Sequence, residues 1–322
     1  MNSDKLTTGI ILNPRAGNNN GTRVWNVIEQ NFIEANIDFK FAESNFKNHS
    51  ESISRDFVNS GIKRIIIIGG DGTLNEVVNG IFSCPLSARE DVSIGMIPVG
   101  TGNDWCRSLD IPEDPSQAAN LLINGKTILH DVGTITSITD SEKKHRYFIN
   151  VAGIGFDANV AHGVNVDKDN DKHGRILYMK NLLGSLLKSK ACKYRIIVDD
   201  KIYNKNIFSM CVGIGKYNGG GMMQLPEAIV DDGLFDITMI ENISKFSIIL
   251  NIKNLFDGSF VNHHKVSSSK GKKILIETEA PVLSETDGES CGQSPFEFNI
   301  LPRALNVIVP DNFKTYQNDE HS

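Results

Sequence analysis

Residues 65–76, which read IIIIGGDGTLNE, decide the fold expected for this chain. Four β-branched apolar residues in a row at 65–68 are typical of a parallel strand buried on both faces. Gly69 and Gly70 then end the strand, and Thr73 with Glu76 fits a capping box, which predicts that a helix begins here. The buried stripe expected for this helix is Leu74, Val77, Val78 and Ile81.

A strand, a glycine-rich turn and a helix start together favour phosphate binding. Glycine lets a ligand approach the backbone closely, and the first-turn N–H groups of a helix carry partial positive charge. Asp71 would repel phosphate unless a cation lay between them. The segment therefore predicts a nucleotide polyphosphate with Mg²⁺. A tight turn whose Asp71 only caps its neighbours is the plainer alternative.

Composition narrows the class of protein. The chain has 322 residues, enough for two domains, and 40% of them are hydrophobic. A net charge of −6 argues against a nucleic-acid partner. The five cysteines form no CxxC pair, and residues 1–8 contain no apolar signal region, so a cytoplasmic protein is expected. No uncharged apolar run approaches the roughly 20 residues of a spanning helix, so any membrane contact is expected to be peripheral.

The first part of the chain alternates strands with helices. Strands are predicted at 9–12, 38–42, 65–68 and 92–98, with helices between them, which indicates a doubly wound, Rossmann-like parallel sheet. The loops at 13–17, 69–73 and 100–104 each follow a strand. Because ligands of such sheets bind beyond the carboxyl ends of the strands, these loops are expected to converge.

After residue 126 the pattern changes to short alternating segments. These predict antiparallel strands at 128–135, 147–154, 193–199, 206–214, 234–240, 273–279 and 304–309, with helices near 174–188 and 244–257. The predicted domains are an α/β nucleotide-binding domain at 1–126, a mainly antiparallel β-sandwich at 127–310, and a polar tail at 311–322. Whether the last strand returns to the first domain stays open. The cleft between the domains is the expected active site.

Four blocks in order carry a family resemblance: NPxAG at 13–17, GGDGTLNE at 69–76, PxGTGND at 98–104, and DGE at 287–289. The sequence resembles a bacterial lipid kinase of the diacylglycerol kinase and sphingosine kinase superfamily. The resemblance runs from about residue 9 to residue 310. It implies an ATP- and Mg²⁺-dependent enzyme that phosphorylates a hydroxyl of a diacylglycerol-like lipid.

The resemblance also implies which residues contact the nucleotide. They are expected in the three converging loops and their flanks: Asn13, Pro14, Arg15, Ala16, Gly17, Ser44, Gly69, Gly70, Asp71, Gly72, Thr73, Asn75, Glu76, Thr101 and Asn103. Ser44 is the loosest of these correspondences.

The chemistry needs a group that accepts the proton of the attacking hydroxyl, and a carboxylate can do so. By resemblance this base is Glu289, with Asp287 and Asp71 shaping the metal–phosphate network. Asp71 is the competing candidate for the base. Taken alone, the Asp-Gly-Glu sequence is typical of a hairpin turn.

A structural Mg²⁺ outside the chemistry is a further implication of the resemblance. Its ligands would be the Asp232 carboxylate, backbone carbonyls near Ile229 and Leu234, and waters, the hard oxygen set that Mg²⁺ prefers. The alternative for this segment is a turn before a strand.

The partners expected are a lipid substrate and the inner membrane surface, and a homodimer stays open. Residues 168–205 carry ten Lys or Arg against four Asp, and a helix near 174–188 could present a basic face to anionic lipid or simply to water. The alternative functions are a kinase for phosphatidylglycerol or a sphingoid base, then an NAD kinase, then a non-catalytic lipid- or nucleotide-binding paralogue.

Overall fold

The computed structural model describes residues 8–169, 184–186, 189–250 and 252–316, without the side chains of 164–169 and 249–250. The chain divides into two compact units. The first comprises Met1–Val132, Val230–Asp232 and Pro302–Ser322, and the second comprises Gly133–Ile229 and Gly233–Leu301.

The first unit is built on a parallel sheet. Its strands are β1 (Thr8–Leu12), β2 (Phe39–Glu43), β3 (Arg64–Gly69) and β4 (Ser93–Pro98). They lie in the order β2–β1–β3–β4, and every one of these pairs is parallel. All of β1 is buried, and so are Ile65–Ile68 of β3, as expected of strands covered on both faces.

Helices connect these strands. They span Gly21–Glu34, His49–Asn59, Asp71–Phe82, Leu86–Arg89, Asp104–Ser108 and Pro115–Asn124. The predicted stripe Leu74, Val77, Val78 and Ile81 is confirmed, because all four side chains are fully buried. Asp114 caps the last of these helices by accepting the Gln117 N–H at 2.9 Å, with Pro115 at the first helical position.

The predicted capping box of Thr73 and Glu76 is wrong. Gly70, in an extended conformation, is the N-cap of the helix Asp71–Phe82, so Thr73 lies within the first turn. The helix begins three residues earlier than the pattern indicates, since glycine accepts the extended N-cap backbone and Asp71 suits the first turn.

The end of the chain also belongs to the first unit. Asn306 and Val307 pair in parallel with Ser93 and Ile94 of β4. The buried Asp131 carboxylate accepts the N–H of Arg303 at 2.7 Å, where Arg303 has a left-handed φ of 50°.

The second unit is antiparallel in all the strand pairs that its described residues form. Its strands are β5 (Lys126–Thr139, entering from the first unit), β6 (Glu142–Phe148), β7 (Val151–Gly155), β8 (Cys192–Val198), β9 (Lys201–Gly213), β10 (Phe235–Glu241), β11 (Val266–Gly271), β12 (Lys273–Thr278), β13 (Leu283–Thr286) and β14 (Glu289–Val309, which ends in the first unit). One half of β9 pairs with β8 and the other half with β7 and β10. Phe148, Phe235 and Phe298 form its aromatic core.

The helices of the second unit differ from the prediction. A helix at Phe156–Asp169 was not predicted, because its apolar spacing is weak. The helix predicted at 244–257 is a short helix, Lys245–Leu250, followed by two 3₁₀ turns, Ile252–Leu255 and Ser259–Asn262. The basic helix predicted at 174–188 lies largely outside the described residues. Among the residues that are described, no helix combines the length and the apolar composition needed to cross a bilayer.

Candidate active site

The three strand-ending loops of the first unit come together, as the sequence predicts. The Asn13 side-chain amide donates to Thr73 Oγ1 at 2.9 Å, which joins the first loop to the second. A Cβ on Gly100 would lie only 2.8 Å from the Gly70 Cα, so the second and third loops touch through their backbones. Glycine is required at position 100 because a side chain there would clash with the backbone, and a Cβ on Gly70 would lie 3.1 Å from the Gly100 Cα, a tight contact.

Gly17 shows the same constraint for the first loop. Its φ is 58°, and a Cβ there would lie 2.0 Å from the carbonyl oxygen of Val99. The backbones of all three loops therefore pack closely beside the start of the helix Asp71–Phe82, and a helix start is the kind of surface that binds phosphate.

Asp71 is the first residue of the helix Asp71–Phe82. Its carboxylate accepts the backbone N–H groups of Asp104 at 3.4 Å and Trp105 at 3.3 Å, at the start of the helix Asp104–Ser108. Desolvation raises the pKa of Asp71, and the hydrogen bonds from Trp105 and Asp104 oppose this rise. Both hydrogen bonds are long and therefore weak, which leaves the carboxylate able to bind a cation.

Several residues predicted to contact the nucleotide have their side chains engaged within the protein. The Glu76 carboxylate accepts the N–H groups of Asn48 at 2.8 Å and Ser50 at 3.0 Å, at the start of the helix His49–Asn59. Asn75 is fully buried and accepts a hydrogen bond from Asn79. Glu76 therefore contacts the start of another helix and Asn75 bonds within its own helix, and their contact with a ligand stays a prediction.

The remaining predicted nucleotide residues of the first unit are more open. Thr101 and Arg15 are exposed, and the Arg15 N–H donates to Asn13 Oδ1 at 3.0 Å. Asn103 has a left-handed φ of 52°, and its amide donates to the Gly100 carbonyl at 3.0 Å. Ser44 is buried, and its N–H donates to the Leu12 carbonyl at 2.8 Å. Pro14 and Ala16 lie half-buried in the first loop, and Gly72 is half-buried in the second.

The second unit holds the Asp-Gly-Glu turn. Asp287 is buried, and its carboxylate accepts three successive backbone N–H groups, those of Ile149, Asn150 and Val151, at 3.0–3.2 Å. Its own N–H donates to the Val151 carbonyl at 2.9 Å. Asp287 and Gly288 both have positive φ, at 50° and 86°. Asp287 therefore anchors a tight turn between β13 and β14.

Glu289, the predicted base, is the first residue of β14 and is half-buried. It stands opposite Thr286 in the pairing of β13 with β14. The strand pairing therefore fixes the backbone of Glu289 at the end of the turn that Asp287 anchors. The side chain of Glu289 is more exposed than those of Asp287 and Thr286.

A polar network next to this turn was missed by the sequence reasoning. Glu285 is 2% exposed, and it accepts the Gly288 N–H at 2.7 Å and the Asn218 amide at 3.2 Å. Burial raises its pKa to about 8. A charged residue between Ser284 and Thr286 on a buried strand is the sequence signal that could have revealed it.

The network continues to Asp157, which the sequence analysis did not place in the site. Asp157 accepts hydrogen bonds from Ser209 and from the Gln224 amide, and desolvation raises its pKa. Gln224 Oε1 in turn accepts the Asn218 amide at 3.3 Å. Two carboxyl groups are thus held inside the second unit by amide and hydroxyl donors.

The predicted structural Mg²⁺ site remains a prediction. Residues 230–233 form a turn before β10, with Asp232 in the first unit and Ile229 and Leu234 in the second. Among the described residues there is no group of three or more His, Cys, Asp or Glu side chains arranged to hold a metal. A site with one carboxylate and backbone carbonyls would not form such a group.

Comparison with known proteins agrees with both units. Residues 7–135 match the diacylglycerol kinase catalytic domain, and residues 150–309 match the YegS C-terminal NAD kinase beta sandwich-like domain. A diacylglycerol kinase of Staphylococcus saprophyticus is 31% identical over 252 residues, which cover 78% of each chain. A diacylglycerol kinase of Bacillus subtilis is 28% identical over 302 residues, covering 94% of this chain and 95% of the relative.

A solved structure has the same fold. The crystal structure of a diacylglycerol kinase from Bacillus anthracis str. Sterne superposes with a TM-score of 0.73 at 22% identity, and the match covers 97% of this chain and 100% of that one.

Proposed function

This chain belongs to the diacylglycerol kinase family and is a lipid kinase, a phosphotransferase with an alcohol group as acceptor, and we propose that it transfers the γ-phosphoryl group of ATP to a hydroxyl of a diacylglycerol-like lipid. The parallel sheet of the first unit would serve as a doubly wound, Rossmann-like nucleotide-binding layer. The observation that carries this proposal is the convergence of the three strand-ending loops through Gly17, Gly70 and Gly100.

The loops fit a polyphosphate. Close backbone contact leaves no room for side chains, so N–H groups are the donors offered, and these suit phosphate oxygens. A nearby cation would oppose the desolvation that raises the pKa of Asp71 and would favour its ionised form. Asp71 would therefore hold Mg²⁺, which when bound neutralises charge on the phosphates.

The reaction is a phosphoryl transfer. The lipid hydroxyl oxygen forms a bond to the γ-phosphorus while the bond from that phosphorus to the β–γ bridging oxygen breaks, and ADP leaves. Glu289 would accept the hydroxyl proton, and its half-buried position leaves the carboxylate able to reach a substrate. Asp287, already occupied by three N–H groups, would position the turn and is poorly suited to accept a proton itself.

The lipid substrate is proposed to come from a membrane surface, with the protein in peripheral contact. The relatives named diacylglycerol kinase support a diacylglycerol-like acceptor over a nucleotide acceptor.

A substrate panel tests the proposal. Purified protein receives labelled ATP and Mg²⁺ with diacylglycerol, phosphatidylglycerol, sphingosine or NAD in parallel, and products are separated by chromatography. We expect label in phosphatidic acid and its loss when Mg²⁺ is chelated. Label in NAD, or in no product, would refute the proposed substrate.

A further inference from the structure

The turn that carries Glu289 is tied to a glycine-rich loop elsewhere in the second unit. This loop, residues 217–224, contains Gly219, Gly220 and Gly221, which all have positive φ. Asn218 and Met222 form an isolated bridge at its base. A loop of three successive glycines has high conformational freedom unless other groups restrain it.

Two residues join this loop to the Asp-Gly-Glu turn. Glu285 accepts the Gly288 N–H on one oxygen and the Asn218 amide on the other. Asn150 gives its backbone N–H to Asp287, and its side-chain amide donates to the Tyr217 carbonyl at 3.0 Å. The Asp-Gly-Glu turn and the 217–224 loop are therefore joined twice, through separate residues.

The strand opposite Glu285 makes room for its carboxylate. Glu285 pairs with Gly153 in the register of β13 and β7. A Cβ on Gly153 would lie 2.5 Å from Glu285 Oε1 and 2.9 Å from the Cβ of Asp157. Gly153 is thus the residue type that allows a carboxyl side chain to lie inside this sheet.

We propose that Glu285 is a positioning residue, which sets the orientation of Glu289 by fixing the Asp-Gly-Glu turn to the 217–224 loop. This rests on the proposed role of Glu289 as the base. Proton transfer in phosphoryl transfer depends on the placement of the base, and a displacement of about 1 Å can cost on the order of 100-fold in rate. Glu285 touches neither substrate in this scheme and acts through backbone and amide groups.

Variants at position 285 distinguish the effects of its two hydrogen bonds, the one from the Gly288 N–H and the one from the Asn218 amide. Glu285→Ala removes both acceptors, and we expect kcat for lipid phosphorylation to fall about 100-fold. Glu285→Gln keeps one oxygen for the Gly288 N–H but turns an amide toward the Asn218 amide, so an intermediate fall of about tenfold is expected. Because nucleotide binding is proposed for the first unit, KM for ATP should stay within about threefold in both variants.

A matched control makes the same chemical change on an exposed strand. Glu277 lies on β12, where it pairs with Arg195 at the surface. Glu277→Gln should leave kcat and KM within about twofold, as expected for an exposed ion pair.

Amide hydrogen exchange without substrate gives a readout that does not depend on activity. Glu285→Ala should speed exchange at both 217–224 and 286–290, Glu285→Gln mainly at 217–224, and Glu277→Gln at neither. The proposal would be overturned if amide exchange at both segments kept its wild-type rate in Glu285→Gln and Glu285→Ala. It would also be overturned if both variants kept the wild-type kcat while binding ATP normally. If Glu285→Ala does not fold, Glu285→Gln decides it.

Failure of the proposed function is recognised separately. If wild-type protein phosphorylated no lipid, the assigned reaction would be refuted, whereas the exchange comparison would still decide whether Glu285 joins the two segments.

Discussion

Asp71 and Asp287 have similar local sequences, Asp-Gly-Thr and Asp-Gly-Glu, but their carboxylates make different hydrogen bonds. Asp71 opens a helix and accepts two long hydrogen bonds from residues 33 and 34 positions later. Asp287 lies in a tight turn and accepts three shorter ones from residues 136–138 positions earlier. The weaker hydrogen bonds of Asp71 leave its carboxylate able to bind a cation, while the Asp287 carboxylate is held by the N–H groups of residues 149–151.

The difference shows that a carboxylate in a family motif can be either a ligand-facing group or a support for the next residue. The length of its hydrogen bonds separates these two cases. On this basis we propose that Asp71 acts on the nucleotide and that Asp287 places Glu289.

The strongest test of this division is Glu289→Gln. Removing the proton acceptor should lower kcat by about 10³-fold, within the usual range for a general base, and leave ATP affinity within a few fold. Steady-state kinetics and ATP binding by calorimetry measure the two effects. Near-normal turnover would move the role of base to Asp71 or to another group.

The pair Asp287→Asn and Asp71→Asn compares the two carboxylates directly. Asp287→Asn should cost about 2–3 kcal/mol of unfolding free energy, because an amide group would face a backbone N–H donor. Asp71→Asn should cost less than about 1 kcal/mol and lower kcat/KM for ATP about 100-fold. Urea unfolding and kinetics on both variants check this. Equal stability losses would contradict the division.

Gly100→Ala tests the backbone contact in the first unit. Its Cβ would lie 2.8 Å from the Gly70 Cα, so the loops must separate. We expect ATP affinity to fall about tenfold and stability to fall by about 1–3 kcal/mol. Gly61→Ala is the control: it has a positive φ but no atom within 4 Å of the added Cβ, so it should lose stability with ATP affinity unchanged.

A pH effect on stability should come from His130, in the first unit. Burial lowers its pKa from 6.5 to about 4, and it is fully buried beside Trp105. The unfolded chain takes up the proton first as the pH falls, so stability should be lost from about pH 7 down to about pH 4, by up to about 3 kcal/mol. Unfolding of His130→Gln at several pH values should show a smaller decline. Parallel curves for both proteins would refute this assignment.

Much of the first unit could be predicted from the sequence because its pattern is local. Residues 65–82 contain a run of isoleucines, two glycines and an apolar helical stripe. Each of these signals involves residues that are close together in the sequence. The convergence of the loops followed from the same alternation. The capping box failed because several residues near a helix start can serve as N-cap, and only the backbone conformation of Gly70 decided between them.

The sequence by itself determined where strands alternate with helices, which loops follow strands, and which carboxylates belong to motifs. Only the tertiary structure decided what those carboxylates contact. Glu76 reaches the start of another helix, Asp287 reaches three N–H groups on β7 and the residues before it, and Glu285 joins the turn to the 217–224 loop. The physical reason is that packing between helices, strands and loops brings together residues 26 to 138 positions apart, and no short-range periodicity records such hydrogen bonds.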